Sequence, residues 1–236
     1  MISNAVANSL RPTLRRQAQA VAAKAAPQAA TQAAKEVAAH AVVADSTWYT
    51  LKKKFIGLIS NFNYNKAEVH AVTAEMADRV QPRLKAGDIL LRRTEGTSGN
   101  WFIPSWWKHA GVYVGDGQVV DATFHGIGKR SFKSFMTEGD HVMIVRAKNL
   151  TADQRKSIAN YAEHQVGKPY DFDFDFVDEA RQSCTELANH AVRTGAGKEL
   201  VQKNWIGSVT GDAFKNENFK LIWSSDPAQS KWLHNR

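Results

Sequence analysis

A lone cysteine, a histidine and an aspartate, drawn from three separate stretches, are the residues best suited to do chemistry. Cys184 is the single cysteine among 236 residues, in the run Arg181-Gln182-Ser183-Cys184-Thr185-Glu186-Leu187. Ser183 is a helix-capping type of residue, so a helix starting there places the thiol in its first turn. That position faces the positive end of the helix dipole and several unsatisfied backbone N–H groups. Both favour the thiolate, the nucleophilic form of the side chain. The same N–H groups can hold a developing oxyanion. A lone cysteine otherwise reads as a small buried hydrophobe, so the assignment depends on its neighbours.

A thiolate needs a base, and His109 opens the strand-like run His109-Ala110-Gly111-Val112-Tyr113-Val114. The alternative for His109 is an ordinary surface histidine ahead of a strand. Asp121 stands in Gln118-Val119-Val120-Asp121-Ala122, where strand propensity disfavours an aspartate. Side by side with His109 across an antiparallel pair, its carboxylate would fix the imidazole tautomer and stabilise the imidazolium. An edge-strand aspartate is the plainer alternative. His125 competes for this third place and ranks second, because the strand has ended before it. Together Cys184, His109 and Asp121 have the composition of a cysteine hydrolase that works through an acyl-enzyme.

Trp101, Phe102, Trp106 and Trp107 precede His109 in a loop-like stretch. With Tyr113 they read as a substrate wall suited to acyl chains or sugar faces, or as aromatics packed under N-terminal helices. The alternation Asp171-Phe172-Asp173-Phe174-Asp175-Phe176 lacks the glycine and terminal glutamate of a calcium loop. It reads as a strand or turn with buried aromatics and exposed acids. Gly195-Ala196-Gly197-Lys198 lacks phosphate-loop spacing and reads as a helix end. The histidines form no zinc pattern, and neither metal nor cofactor is expected.

These side chains must be positioned by strands and helices that the patterning exposes. Lys85-Ala86-Gly87-Asp88 is a turn signal, followed by a buried strand over Ile89 to Arg93. Strands over Gly111 to Val114 and Gln118 to Ala122 are joined by Gly115-Asp116-Gly117, a hairpin cue. Val142 to Ala147 and Leu221 to Trp223 are further strands. Helices are expected from Lys66 to Val80, from Thr151 to Val166, and from Ser183 to about Thr194. The class is α+β with an antiparallel sheet. The expected division is an Ala-rich basic helical arm over 1–47, a helical lead-in over 48–83 and a catalytic domain over 84–236.

The net charge is +8, and four of those eight surplus charges fall within residues 1–44, where five Lys and Arg face the single acid Glu36. This favours anionic partners such as acidic polymers or membrane headgroups. The basic residues are not interleaved with aromatics as in a recognition motif, so nucleic acid is not an expected partner. No apolar run approaches the roughly 18 residues that span a bilayer. No continuous apolar signal segment is visible near residue 1.

The ordered series Gly87-Asp88-Ile89-Leu90-Leu91, His109 to Gly117, Val119 to Ala122, Gly167-Lys168-Pro169-Tyr170-Asp171 and Ser183 to Leu187 resembles the circularly permuted branch of the NlpC-type papain-fold cysteine hydrolases. That branch includes YiiX-like proteins and the lecithin–retinol acyltransferase group. The resemblance spans about Leu84 to Thr194. It implies a papain-like sheet packed on helices, with His109 as base and Cys184 as nucleophile. Asp121 occupies the third position, where relatives carry His, Glu or another polar group. It further implies either an amidase or endopeptidase on cell-wall peptidoglycan, or a thiol acyltransferase or phospholipase on lipid. A non-catalytic lipid- or glycan-binding module is the rival from another class. Without a standard signal, an envelope-acting protein would be exported by a specialised system after a cytoplasmic stage. A secretion-system, chaperone or immunity protein would then be its partner.

Overall fold

A computed structural model of the protein describes residues 71–96, 105–174, 179–201 and 211–226, together with positions 50, 51, 54 and 228. The expected N-terminal arm lies outside the described residues, as do most of the lead-in and Trp101 and Phe102.

The described elements run in the order α1 (Ala74–Val80), β1 (Ile89–Arg93), β2 (His109–Gly115), β3 (Gln118–Thr123), β4 (Gly126–Ser131), α2 (Phe132–Thr137), β5 (His141–Ala147), α3 (Ala152–His164), α4 (Cys184–Ala196) and β6 (Phe219–Ser224). The strands form one six-stranded antiparallel sheet in the order β4-β3-β2-β1-β5-β6. The fold is therefore α+β, as the patterning predicts.

Helices cover both faces of the sheet. Helices α3 and α4 pack on the face carrying Ile89, Leu91, Val112 and Val145. Helices α1 and α2 pack on the face carrying Leu90, Tyr113, Val119 and Ile144. This is why Ile89-Leu90-Leu91 reads as a continuous apolar run: successive side chains point to opposite faces, and all three are fully buried. No described helix is long and apolar enough to cross a membrane.

Local chemistry sets the element ends. Asp116 and Gly117 both have positive φ, 50° and 69°, so the β2–β3 hairpin closes with a two-residue turn of the type that matches strand twist. Thr151 begins α3 with a reciprocal capping box to Gln154. Gly197, at φ 69°, ends α4 in the left-handed conformation, as a helix-end reading of that stretch requires. Helix α1 starts at its Thr73 cap. Pro82 falls in the 3-10 turn over Gln81–Arg83 that follows it.

Two elements are absent from the sequence-based reading. Strand β4, Gly-Ile-Gly-Lys-Arg-Ser, gives a weak signal because it is an edge strand, paired with β3 on one side and on the other joined at Ile127 to Gly167 and Lys168. Helix α2 is only 6 residues long, capped by Ser131 and held by the burial of Phe132, Phe135 and Met136. Tertiary packing rather than propensity stabilises a helix this short.

The sheet is pinned at its centre by a buried ion pair. Arg146 on β5 meets Asp88 bidentately, Nε to Oδ1 at 2.6 Å and Nη2 to Oδ2 at 2.7 Å. Asp88 also accepts from the backbone N–H of Lys85 at 2.9 Å, which closes the turn ahead of β1.

Candidate active site

Helix α4 starts where the sequence places it. Ser183 is its cap: the Ser183 hydroxyl accepts from Glu186 N at 3.5 Å, and Glu186 Oε2 accepts from Ser183 N at 2.5 Å. Gln182 is buried just before the cap and donates to Gln165 Oε1 at 3.0 Å. These contacts fix Cys184 as the first helical residue. Cys184 forms no disulfide and is buried, with 6% of the residue exposed.

His109 is the first residue of β2, and its ring stacks on Phe135 with centroids 5.6 Å apart. Its Nε2 lies 2.8 Å from Asp121 Oδ2. Cys184 acts electrostatically on the same ring from the first turn of α4. The imidazole is therefore bonded to the carboxylate and feels the thiol. Phe135 comes from the α1/α2 layer and Cys184 from the helix of the other layer, and both act on His109 at the start of β2.

The expected side-by-side pairing of His109 and Asp121 needs refinement. In the β2–β3 register Asp121 faces Gly111, two residues beyond His109, so the contact is diagonal. Gly111 makes room for Val119 and for Phe135, the ring on which His109 stacks. A Cβ there would lie 2.7 Å from Val119 Cγ1 and 2.9 Å from Phe135 Cε2.

Three charged residues that the sequence did not single out surround this pair. Arg92 faces His109 across β1–β2. Its Nη1 donates to Glu138 Oε2 at 2.9 Å and to Phe135 O at 3.1 Å. On β4, Arg130 Nη1 lies 3.7 Å from Asp121 Oδ2, while its Nη2 donates to Glu138 Oε1. A charge directly after the buried run Ile89-Leu90-Leu91 was a faint signal for Arg92. Nothing local distinguishes Arg130 or Glu138, since the fold alone brings them here.

The electrostatics follow from this geometry. Burial pushes the His109 imidazole down, but the negative form of Cys184 and hydrogen bonds with Asp121 and Cys184 outweigh it and hold the pKa above the ordinary histidine value. Burial pushes Asp121 up, but the His109 hydrogen bond and the charges of His109, Arg130 and Arg92 hold its carboxyl below the usual range. Burial, reinforced by Arg130, brings the Arg92 guanidinium down to about 10, so it stays cationic at neutral pH.

The other expected site residues separate. His125 is exposed in the β3–β4 turn, where its backbone N–H donates to the Thr123 hydroxyl. Trp107 is fully buried in the core instead of lining a wall, because Gly211 packs against its backbone and Cβ. Tyr113 is likewise a core residue: its ring packs edge-on to Phe132, and its hydroxyl accepts from Gly117 N at 3.0 Å. Trp106 is part-buried, with the Arg93 guanidinium 4.3 Å from its ring centroid.

A different aromatic group stands near the start of α4. Tyr170 contacts Phe124, Phe172 and Phe174 at centroid distances of 5.2, 5.0 and 6.0 Å. Pro169 O accepts from Gln182 N at 3.3 Å, which ties this segment to the residue ahead of the Ser183 cap. Phe124 and Phe174 are 41% and 37% exposed. The expected pattern of buried aromatics and exposed acids is thus partly reversed. Asp171 is buried and accepts from Asp173 N at 2.8 Å, whereas Phe174 reaches solvent. Asp175 and Phe176 lie outside the described residues. Among the described residues no group of three or more His, Cys, Asp or Glu is placed to hold a metal ion.

The chain is similar in sequence and fold to known proteins. The chain is 27% identical over 173 residues to the probable lipoprotein peptidase YaeF of Escherichia coli (strain K12), a match covering 64% of this chain and 61% of that protein. It is 27% identical over 175 residues to a gamma-DL-glutamyl hydrolase of Bacillus subtilis (strain 168), covering 70% of this chain and 40% of that protein. The matches thus span less than two thirds of either relative. The crystal structure of metalloprotein YiiX from Escherichia coli O157:H7 superposes with a TM-score of 0.52 at 18% identity, covering 61% of this chain and 99% of that one. Residues 83–221 match the family described as permuted papain-like amidase enzyme, YaeF/YiiX, C92 family. With more than half of its length so matched, the chain belongs to this family of permuted papain-like amidases, a family of hydrolases.

Proposed function

We propose that the protein is a cysteine amidase acting through an acyl-enzyme, with Cys184, His109 and Asp121 as its catalytic residues. The observation that carries this is the position of the His109 ring, 2.8 Å from Asp121 Oδ2 and within the electrostatic reach of Cys184 at the start of α4. His109 takes the proton of Cys184, and the thiolate attacks the carbonyl carbon of an amide. The resulting oxyanion rests against backbone N–H groups at the start of α4. The imidazolium returns its proton to the leaving amine as the C–N bond breaks. His109 then activates water, which attacks the thioester, and the thiol leaves with the acid product released. Asp121 orients the imidazole and stabilises its charged form throughout.

The substrate class we favour is the stem peptide of bacterial peptidoglycan. Two relatives named as a peptidase and as a gamma-DL-glutamyl hydrolase support an amide substrate. The surplus of eight positive charges suits an anionic wall polymer. Such a substrate places the protein's work in the cell envelope, reached by export, and an antibacterial effector role is compatible with that setting. A second reading, an acyltransferase or lipase on lipid esters, draws on the half-exposed Phe124 and Phe174 beside the start of α4.

The deciding experiment incubates the protein separately with purified muropeptides and with phospholipid vesicles, followed by mass spectrometry. New amide-cleavage products with the native chain, and none with Cys184→Ala, support the amidase reading. Fatty-acid release dependent on Cys184 selects the lipid reading. Cleavage that persists in Cys184→Ala removes the thiol from the reaction, and binding of either substrate without any product points to a binding module; each outcome overturns both readings.

A further inference from the structure

One oxygen of Asp121 has two claimants. Oδ2 lies 2.8 Å from His109 Nε2 and 3.7 Å from Arg130 Nη1, the latter just outside hydrogen-bond range. A guanidinium binds a carboxylate more strongly than a neutral imidazole does, so small movement of Arg130 would favour the wrong partner. Arg130 is restrained by Glu138, which follows α2 and accepts from Arg130 Nη2, and by Ser134, whose Oγ accepts from the same Nη2 at 2.8 Å and itself donates to Glu138 Oε1 at 3.3 Å. The same carboxylate accepts from Arg92 Nη1 at 2.9 Å through its other oxygen. Arg92 is on β1 and Arg130 on β4, with β2 and β3 between them. Glu138 therefore braces the two cations across the strands that carry His109 and Asp121.

We propose that Glu138 is a positioning residue for this site: by holding both guanidinium groups it leaves Asp121 Oδ2 to His109. The inference rests on reading His109 and Asp121 as the working pair. The charged groups facing His109 are Arg92 from β1, Asp121 from β3 and Cys184 from α4, with Arg130 and Glu138 one contact further out. With Glu138 neutral, two cations face one carboxylate. Arg130 then moves onto Asp121, and Arg92, no longer compensated, repels the imidazolium. Both effects make His109 harder to protonate.

The test is an NMR pH titration of His109 in the full chain carrying Cys184→Ala, which removes the coupled thiol. The resonance is assigned by its loss in His109→Gln. Glu138→Gln is expected to move the His109 titration to lower pH. Adding Arg130→Gln to it is expected to restore most of the shift, because the competitor is gone. A role limited to holding the fold predicts no such rescue. Arg130→Gln alone, on an edge strand, is expected to move the titration upward, and it serves as the deciding variant where Glu138→Gln does not fold. A Glu138→Gln protein that titrates with its parent, or a double variant that stays with the single one, overturns the proposal. So does Arg130→Gln titrating unchanged or lower. The reading of Cys184 as nucleophile fails by a different result, namely muropeptide turnover that survives Cys184→Ala.

Discussion

His109 and Asp121 meet diagonally: the carboxylate stands opposite Gly111, yet its Oδ2 reaches back to His109 Nε2 at 2.8 Å. The empty position at Gly111 admits Phe135, on which the imidazole stacks. A Gly111→Ala substitution puts its Cβ against Val119 Cγ1 and Phe135 Cε2 at 2.7 and 2.9 Å, so Phe135 must give way. We expect a destabilisation of about 1–3 kcal/mol, typical of overpacking. Activity should fall further than stability alone explains. Urea unfolding alongside turnover at a temperature where both proteins are folded would show the difference.

Asp121→Asn should leave the fold intact and lower turnover roughly 10²–10⁴-fold, since the imidazole loses its orienting charge. It should also change how stability depends on pH. The Asp121 carboxyl is held low in the folded protein, so its contribution is present above the ordinary carboxylate range and is lost as pH falls through the folded value. The His109 imidazole is held high, so its contribution is complete below the ordinary histidine value and is lost as pH rises through the folded value. The gap between native and Asp121→Asn stability should therefore be widest between those two limits. Unfolding midpoints across a pH series would test this; a constant gap contradicts it.

Because the chain has a single cysteine, iodoacetamide provides a probe that needs no substrate. One adduct, at Cys184, is expected by mass spectrometry. Its formation near neutral pH should slow about tenfold in His109→Gln, which removes the base. Equal rates in the two proteins would separate the thiol from the imidazole.

Asp88 and Arg146 form a bidentate pair, with the carboxylate wholly buried. Asp88→Ala leaves the Arg146 charge without its partner and also frees Lys85 N at the turn before β1. The expected loss is about 3–5 kcal/mol of stability. Chemical denaturation measures it, and a loss below 1 kcal/mol would mean that water compensates the arginine.

Much of the framework was legible because its signals are local. The Asp116-Gly117 turn needs residues that tolerate positive φ, Ser183 and Thr151 cap helices through their own side chains, and the central strands are continuous apolar runs. Cys184 and His109 were legible from their places at element starts. Strand β4 and helix α2 were not, because an edge strand and a 6-residue helix borrow their stability from neighbours. The wall assigned to Trp107 and Tyr113 went wrong for a related reason. Aromatic side chains look alike in sequence whether they line a site or fill a core, and here Gly211 and Phe132 make both of them core.

The sequence by itself determined the order of strands and helices, the start of α4 at Ser183 and the presence of a thiol, an imidazole and a carboxylate at element positions suited to them. Only the tertiary structure decided that Asp121 rather than His125 touches His109, and that Arg92, Arg130 and Glu138 surround the pair. The reason is that capping, turns and periodicity act over a few residues of one chain segment. Register across β1 to β4 and the packing of α2 set distances between groups tens of residues apart, and those distances fix which charge is felt by which ring.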